Sequence, residues 1–434
     1  TELAEGVEEQ DTGDREKPEN LADLNHVILP DDIIVPRGEI AKIRANVAAI
    51  ELVTKLEKEN RNATPEEKQI LSKYTGWGGL ANVLSDDKAR WRQYEQEWDK
   101  KYGAFYDKLK KLLTDDEFRA AVNSTINAHY TSIPIIRQMW DMAQHFGFQG
   151  GLALESAGGI GHFIGAMPET LSRETSFTAY ELDSISGRIL TKLYPQAKVN
   201  ISGYEQSNIP NATQDLVITN VPFGKTAPYD AKNKDLSKFS LHNYFIAKGI
   251  RQLKPGGIGI FISSSSTMDN AASVKFREWA ISEGNSDFVG AIRLPNNAFK
   301  ENAGTEVTTD ILVFRKRNGD LPSEYAQDFR ITKPIGQAKT REGEVVPIEV
   351  NEYFVEHPEN ILGKMMLAHE AGSGGLYTGN SQTAAPIKDM DLIPAISERI
   401  AAMPSGIMNT TASSAPIKRE KAEAGQKDGT LAVK

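Results

Sequence analysis

Across residues 133–314, short apolar runs alternate with helix-compatible stretches, and this alternation restricts the fold more than any other feature of the chain. Strand-like runs fall at 151–154, 177–182, 198–201, 215–219 and 258–263, with helix-forming stretches at 135–146, 184–193 and 241–253 before or between them. This pattern predicts a mostly parallel sheet with helices on both faces. After a helix at 271–281, two further runs at 288–293 and 308–314 predict an antiparallel pair closing one edge of that sheet.

At 434 residues the chain exceeds one ordinary domain, and the texture changes on both sides of the alternating region. Residues 36–125 read as a helical unit: Ile43, Val47, Ile50, Val53 and Leu56 recur at three- and four-residue steps. Thr64-Pro65-Glu66-Glu67 then opens a second helix with an N-cap, a proline in the first turn and a capping-box glutamate. Thr114-Asp115-Asp116-Glu117 caps another. Residues 1–35 are predicted to be a disordered acidic lead-in, and residues 321–434 a partly flexible C-terminal connector, with the sheet domain at 126–320.

A net charge of −9, taken over the whole chain, disfavours polyanionic partners. Residues 1–20, however, hold eight acidic side chains against Arg15 and Lys17, so about −6 of it belongs to the lead-in and about −3 to everything else. No apolar run reaches the length needed to span a bilayer, and the first residues are acidic, not basic-then-apolar, so the expected location is cytoplasmic and away from membranes. Cysteine is absent, which excludes disulfides, thiolate metal sites and any reaction that begins with attack by a thiolate, including methylation of cytosine C5. No metal site is expected.

Two segments carry chemistry. The first is an apolar strand ending in Asn220-Val221-Pro222-Phe223, where open α/β sheets bind their ligands. An amino nitrogen conjugated to a ring or carbonyl is a poor nucleophile because its lone pair is delocalised. Two acceptors against its hydrogens, the Asn220 side-chain oxygen and the Val221 carbonyl, pull it toward tetrahedral geometry, while Phe223 offers a stacking face to a flat substrate. The same four residues also read as a Pro-aromatic turn, with Asn220 capping backbone groups and Phe223 in the core. The second is Glu155-Ser156-Ala157-Gly158-Gly159-Ile160-Gly161, whose glycines let the backbone approach a cofactor. Glu181 ends the next strand, where an acidic side chain suits the ribose hydroxyls of NAD or of S-adenosylmethionine alike. The Asn-x-Pro-aromatic end of the fourth strand favours the methyl donor.

The order of cofactor glycines, acidic strand end and Asn-x-Pro-aromatic resembles the adenine-N6 DNA methyltransferases. More closely, Tyr74-Thr75-Gly76-Trp77-Gly78-Gly79-Leu80, Ala128-His129-Tyr130-Thr131-Ser132, Asn220 to Gly224, Lys254-Pro255-Gly256-Gly257, Ser266-Thr267-Met268-Asp269 and Ile292-Arg293-Leu294-Pro295 resemble the methyltransferase module of large methyltransferase-helicase fusions carried by phages, plasmids and conjugative elements, some of them antirestriction proteins. The resemblance spans about residues 38–360. It implies an α/β, Rossmann-like class I methyltransferase fold with a seven-stranded mixed sheet behind a helical N-terminal domain. It also implies S-adenosylmethionine as cofactor and DNA as partner, and, since no phosphate-loop motif occurs, a helicase motor that lies outside this chain or has been lost.

Carried over to this sequence, it places His129, Tyr130 and Thr131 at the methionine end of the cofactor, Glu155, Gly159 and Gly161 along its middle, Glu181 at the ribose and Glu205 by the adenine. Asn220, Val221, Pro222 and Phe223 become the catalytic set. Lys225, Lys232, Lys234 and Lys238 follow in a polar loop that can hold phosphates or stand as a solvated charged loop. Trp77 is either a DNA-facing wedge or an aromatic packed at a domain junction. Position 221 is Val where the family usually has Pro, but a backbone carbonyl survives that change. Ser156 stands where proline commonly follows the glutamate. The segment 303–310 also fits the family without an assigned role. Methylation of RNA adenine or of protein glutamine, and a non-catalytic DNA-binding scaffold, are the competing readings.

Overall fold

The computed structural model describes residues 24–32, 34–85, 95–125, 131–299, 306–372 and 379–408. Seven strands form one sheet: β1 (Gly151–Glu155), β2 (Thr175–Glu181), β3 (Lys198–Ile201), β4 (Gln214–Asn220), β5 (Leu253–Ser264), β6 (Ser286–Leu294) and β7 (Thr309–Lys316). Their order is β3-β2-β1-β4-β5-β7-β6. The first five pair in parallel, whereas β7 lies antiparallel between β5 and β6. This is the Rossmann-like methyltransferase sheet expected from the sequence. Its strand order reverses between β1 and β4, where Ala153 pairs with Leu216 and Leu154 with Val217. That reversal opens a crevice at the strands' carboxyl ends, the place where such sheets hold ligands.

Period-two alternation divides the core. Leu216 and Ile218 of β4 and Ile258, Ile260 and Ile262 of β5 join one buried cluster, while Val217 and Phe261 join the other on the opposite face. The first cluster is continuous with the N-terminal helices. Ile43, Val47, Ile50, Val53 and Leu56 line the buried side of the helix Glu39–Lys58, as their spacing predicts. Both capping boxes form, at Thr64/Glu67 and Thr114/Glu117. The helical unit thus shares a core with the sheet. Arg188 reinforces the junction, binding Glu57 at 2.8 Å through Nε and Glu117 at 2.9 Å through Nη1.

Two expectations about the flanks change. Residues 24–32 and 34–35, assigned to the lead-in, form an extended strap on the sheet domain: the His26 amide donates to Leu193 O at 2.9 Å and that of Ile28 to Gly165 O at 2.8 Å, with both side chains buried. Residues 1–23 lie outside the described residues. The region from 321 onward is built, up to residue 408, from β8 (Thr332–Lys339) with β9 (Val345–Asn351), β10 (Lys364–Leu367) with β11 (Gln382–Ala385), and the helix Leu392–Ala402. That last helix returns to the helix Ile133–His145, where the Ser397 hydroxyl donates to Gln138 Oε1 at 2.6 Å. Residues 409–434 are outside the described set. Among the described residues, no helix is long and apolar enough to cross a membrane.

Candidate active site

The glycine-rich turn leaves β1 at Glu155 and enters the short helix His162–Gly165. Gly161 sits at φ 86°, and a Cβ there would run into Leu190 and Tyr194, so only glycine fits. Two bonds tie the turn to the end of β2. The Gly158 amide donates to Tyr180 O at 2.8 Å, and the Gly159 amide to Glu181 Oε2 at 2.6 Å. The other Glu181 oxygen accepts from the Asp183 amide at 2.7 Å. Burial nevertheless pushes the Glu181 carboxyl up to about 7. Glu155 is 2% exposed, and its Oε2 has no hydrogen-bond partner among the described residues. Burial, with the nearby Glu181 charge, raises its carboxyl well above the usual range.

Asn220 ends β4, one strand away. Its Nδ2 donates to Thr131 Oγ1 at 3.0 Å, which fixes the amide orientation and turns Oδ1 away from that bond. Asn220 Oδ1 is buried with no partner among the described residues. The next residue is equally constrained: the Val221 amide donates to Ile262 O at 3.0 Å and its side chain is buried. Pro222 and Phe223 are half-buried. Phe223 therefore does not disappear into the core, and Asn220 does not spend its oxygen on capping. Phe223 packs partly against the buried cluster on this face of the sheet, and Asn220 caps no backbone group through Oδ1 among the described residues.

Thr131, Glu155, Gly158, Gly159, Glu181, Glu205 and residues 220–223 line one cavity of about 920 Å³. The structure thus brings together most of the candidate residues. Gly161 acts from the turn behind it. His129 and Tyr130 lie outside the described residues. Six carboxylates line the cavity (Asp116, Glu117, Glu155, Glu181, Asp183 and Glu205), and no lysine or arginine does among the described lining residues.

The lysines behave differently from one another. Lys225, Lys234 and Lys238 are exposed, with Lys238 Nζ 5.3 Å from the centre of the Phe239 ring. Lys232, also exposed, bonds to the Asn208 side chain and reaches Ser207 O at 3.5 Å.

Sequence reading missed what the helical unit adds to the wall. Tyr74, Gly76 and Trp77 line the cavity, as do Asp116 and Glu117. Trp77 is 2% exposed and packs at the junction, which rules out a wedge projecting into DNA. Its loop is held by Asn46, whose Nδ2 donates to Gly76 O at 2.6 Å and whose Oδ1 accepts from the Thr75 amide at 2.8 Å. The segment Tyr74 to Leu80 stood out in the sequence as a family-like motif, but nothing local placed it against the cavity.

Residues 171–289 match the family described as Eco57I restriction-modification methylase. The matched segment begins after the glycine-rich turn and ends within β6, and the sheet order is that of a Rossmann-like methyltransferase fold. The chain is also 29% identical over 288 residues to Defense against restriction protein B of Escherichia phage P1, a match that covers 65% of this chain and 10% of that protein. It therefore spans about a tenth of the length of that relative. Among solved structures it is similar to a type I restriction-modification methyltransferase subunit from Streptococcus thermophilus (16% identity, 68% of this chain and 67% of the other, TM-score 0.38). It is also similar to the M protein of the type I restriction enzyme EcoKI (14% identity, 84% and 88%, TM-score 0.35).

Proposed function

We propose that the chain transfers a methyl group from S-adenosylmethionine to N6 of an adenine turned out of DNA. The observation that carries this reading is the Asn220 amide, which lines the same cavity as Glu155 and Glu181, with Nδ2 held by Thr131 and Oδ1 without a partner among the described residues. The donor set fits the cofactor on charge. S-adenosylmethionine is a net cation, with a sulfonium and an ammonium against one carboxylate, and Asp116, Asp183 and Glu205 line the cavity besides Glu181, while Glu117 is paired with Arg188 and burial favours the protonated form of Glu155. A dinucleotide would bring its pyrophosphate against those acidic side chains with no lysine or arginine among the described lining residues to neutralise it.

When bound, the cofactor supplies an electrophilic methyl group on sulfur. The protein's part is to hold and activate. Glu181 would accept the ribose hydroxyls, Glu205 would lie by the adenine ring, and the backbone of Gly159 with the Gly161 turn would follow the middle of the molecule. Asn220 Oδ1 and the Val221 carbonyl would accept the two hydrogens of the target amino group, which would localise its lone pair on nitrogen and direct it toward the cofactor side of the cavity. Phe223 stacks on the base, and Pro222 stiffens the turn that presents it. Lys225, Lys234 and Lys238 are available to the flanking phosphates.

The phage relative is named for defence against restriction, and methylation that shields a mobile element's own DNA is the corresponding role here. A helicase module outside this chain belongs to the same proposal. The test is transfer of labelled methyl to mixed-sequence DNA, with RNA and protein in parallel, followed by mapping of the marked base. Asn220→Ala is expected to lower transfer by about 100-fold or more while cofactor binding stays within about threefold. Undiminished transfer in that variant, or label found on RNA or glutamine instead, defeats the assignment.

A further inference from the structure

Behind the cavity wall lies a buried ion pair that methyl transfer does not use. Asp230 and Lys248 are 0% and 2% exposed at the side chain, with Lys248 Nζ 2.9 Å from Asp230 Oδ2. Asp230 organises the loop after β4: its Oδ1 accepts from the Lys232 amide at 2.9 Å and the Asn233 amide at 3.0 Å, and Oδ2 accepts from Tyr244 Oη at 2.7 Å. Lys248 also reaches the turn after β3. It donates to Tyr204 O at 2.7 Å, and its ammonium lies 4.7 Å from the centre of the Tyr204 ring. The two segments line different parts of one cavity, the turn through Gly203, Tyr204 and Glu205 and the loop through Thr226, Ala227 and Pro228.

Burying a charge is costly unless it is paired, and apolar residues of similar volume would hold a core at least as well. What the ion pair adds is direction. One ammonium fixes the distance between two loops from different strand ends, and neither loop can shift without uncovering a buried charge. Lys232 crosses the same gap to Asn208 and Ser207. Gln252 holds the turn from the helix that carries Lys248, accepting from Tyr204 Oη and donating to Ser207 Oγ at 3.4 Å.

We propose that Lys248 is a positioning residue that couples the two ligands of this cavity, so that seating the cofactor against the Tyr204–Glu205 turn also sets the Pro228–Lys238 loop for the target base. The proposal rests on the reading of the cavity as a site for S-adenosylmethionine and an extruded adenine. Such coupling is reciprocal: each ligand must tighten the other by the same factor.

The experiment uses the full chain, S-adenosylhomocysteine as the cofactor-site probe and a duplex that the wild-type chain methylates. Probe affinity is measured by calorimetry with and without saturating duplex, and duplex affinity with and without saturating probe. The wild-type chain is expected to show mutual tightening of about 5- to 20-fold. Lys248→Met is expected to reduce that factor below about twofold. Asp230→Asn keeps an oxygen for the two loop amides but removes the charge, and it should cut the factor in the same direction, which decides the matter if the lysine variant does not fold. A purely structural role predicts a lower melting temperature with wild-type coupling in both variants, and that result overturns the proposal. So does a wild-type chain that binds both ligands independently. A wild-type chain that methylates no duplex and binds no probe removes the underlying reading, and this proposal with it.

Discussion

At the scale of single residues, the candidate site holds one fully buried carboxyl group, Glu155, one half-buried carboxyl group, Glu181, and one amide kept in a single orientation by Thr131. Glu181 has a carboxyl pushed up to about 7 by burial, while its ionised form is the better acceptor for ribose hydroxyls. Below pH 7 the free protein holds a proton there that cofactor binding must release, so binding tightens as pH rises through 7. Between pH 6 and pH 8 the cofactor affinity should rise by about tenfold, one pKa unit of linkage being about 1.4 kcal/mol. Calorimetry in buffers of different ionisation enthalpy reads the released proton directly, and Glu181→Gln should abolish both the release and the pH slope. A slope unchanged in that variant would assign it to another group. The Asn220 strand end, the Gly161 turn and Glu181 were readable from sequence because each is a local device. The hydrogen bond from Asn220 to Thr131 was not, since 89 residues separate the partners.

Among the elements, the antiparallel edge explains a sequence segment that had no assigned role. Arg293 on β6 stands directly across from Asp310 on β7, and the two form a paired fork at 2.8 Å and 2.9 Å. The same guanidinium reaches Asp269 Oδ2 at 2.7 Å and lies 4.4 Å from the centre of the Phe354 ring. Three segments singled out in the sequence, 266–269, 292–295 and 303–310, thus converge on one buried cation. The Arg293→Met variant leaves two carboxylates without their partner and should lose about 3–5 kcal/mol in urea denaturation. A loss under about 1 kcal/mol would mean that water or another cation reaches the cluster. Sequence spacing does not reveal such a convergence, because strand register sets which residues face each other.

For the whole molecule, the segment read as a connector is part of the core. Gly406 N donates to His145 O at 2.9 Å and Arg315 Nε to Ile407 O at 2.7 Å, while Ile396, Ile400 and Met403 enter the cluster that backs the sheet. Truncation after residue 390 is therefore expected to lower the thermal midpoint by at least about 5 °C and to expose apolar surface that binds a hydrophobic dye. Unchanged melting would show the helix Leu392–Ala402 to be dispensable. This region was hard to read because β8 carries Pro334 and Gly336 and is mostly exposed, so it lacks the alternation that marks a half-buried strand. By itself the sequence determined the α/β sheet with its antiparallel edge, the capped N-terminal helices, the glycine-rich turn after β1 and the Asn220 strand end, because periodicity, capping and turn chemistry act over a few residues. Only the tertiary structure decided that the helical unit shares the sheet's core, that Trp77 walls the cavity, that Lys248 bridges two of its loops and that the C-terminal helix closes the fold. Those outcomes depend on which side chains distant in sequence meet in the folded interior, and a local pattern of residues does not encode such meetings.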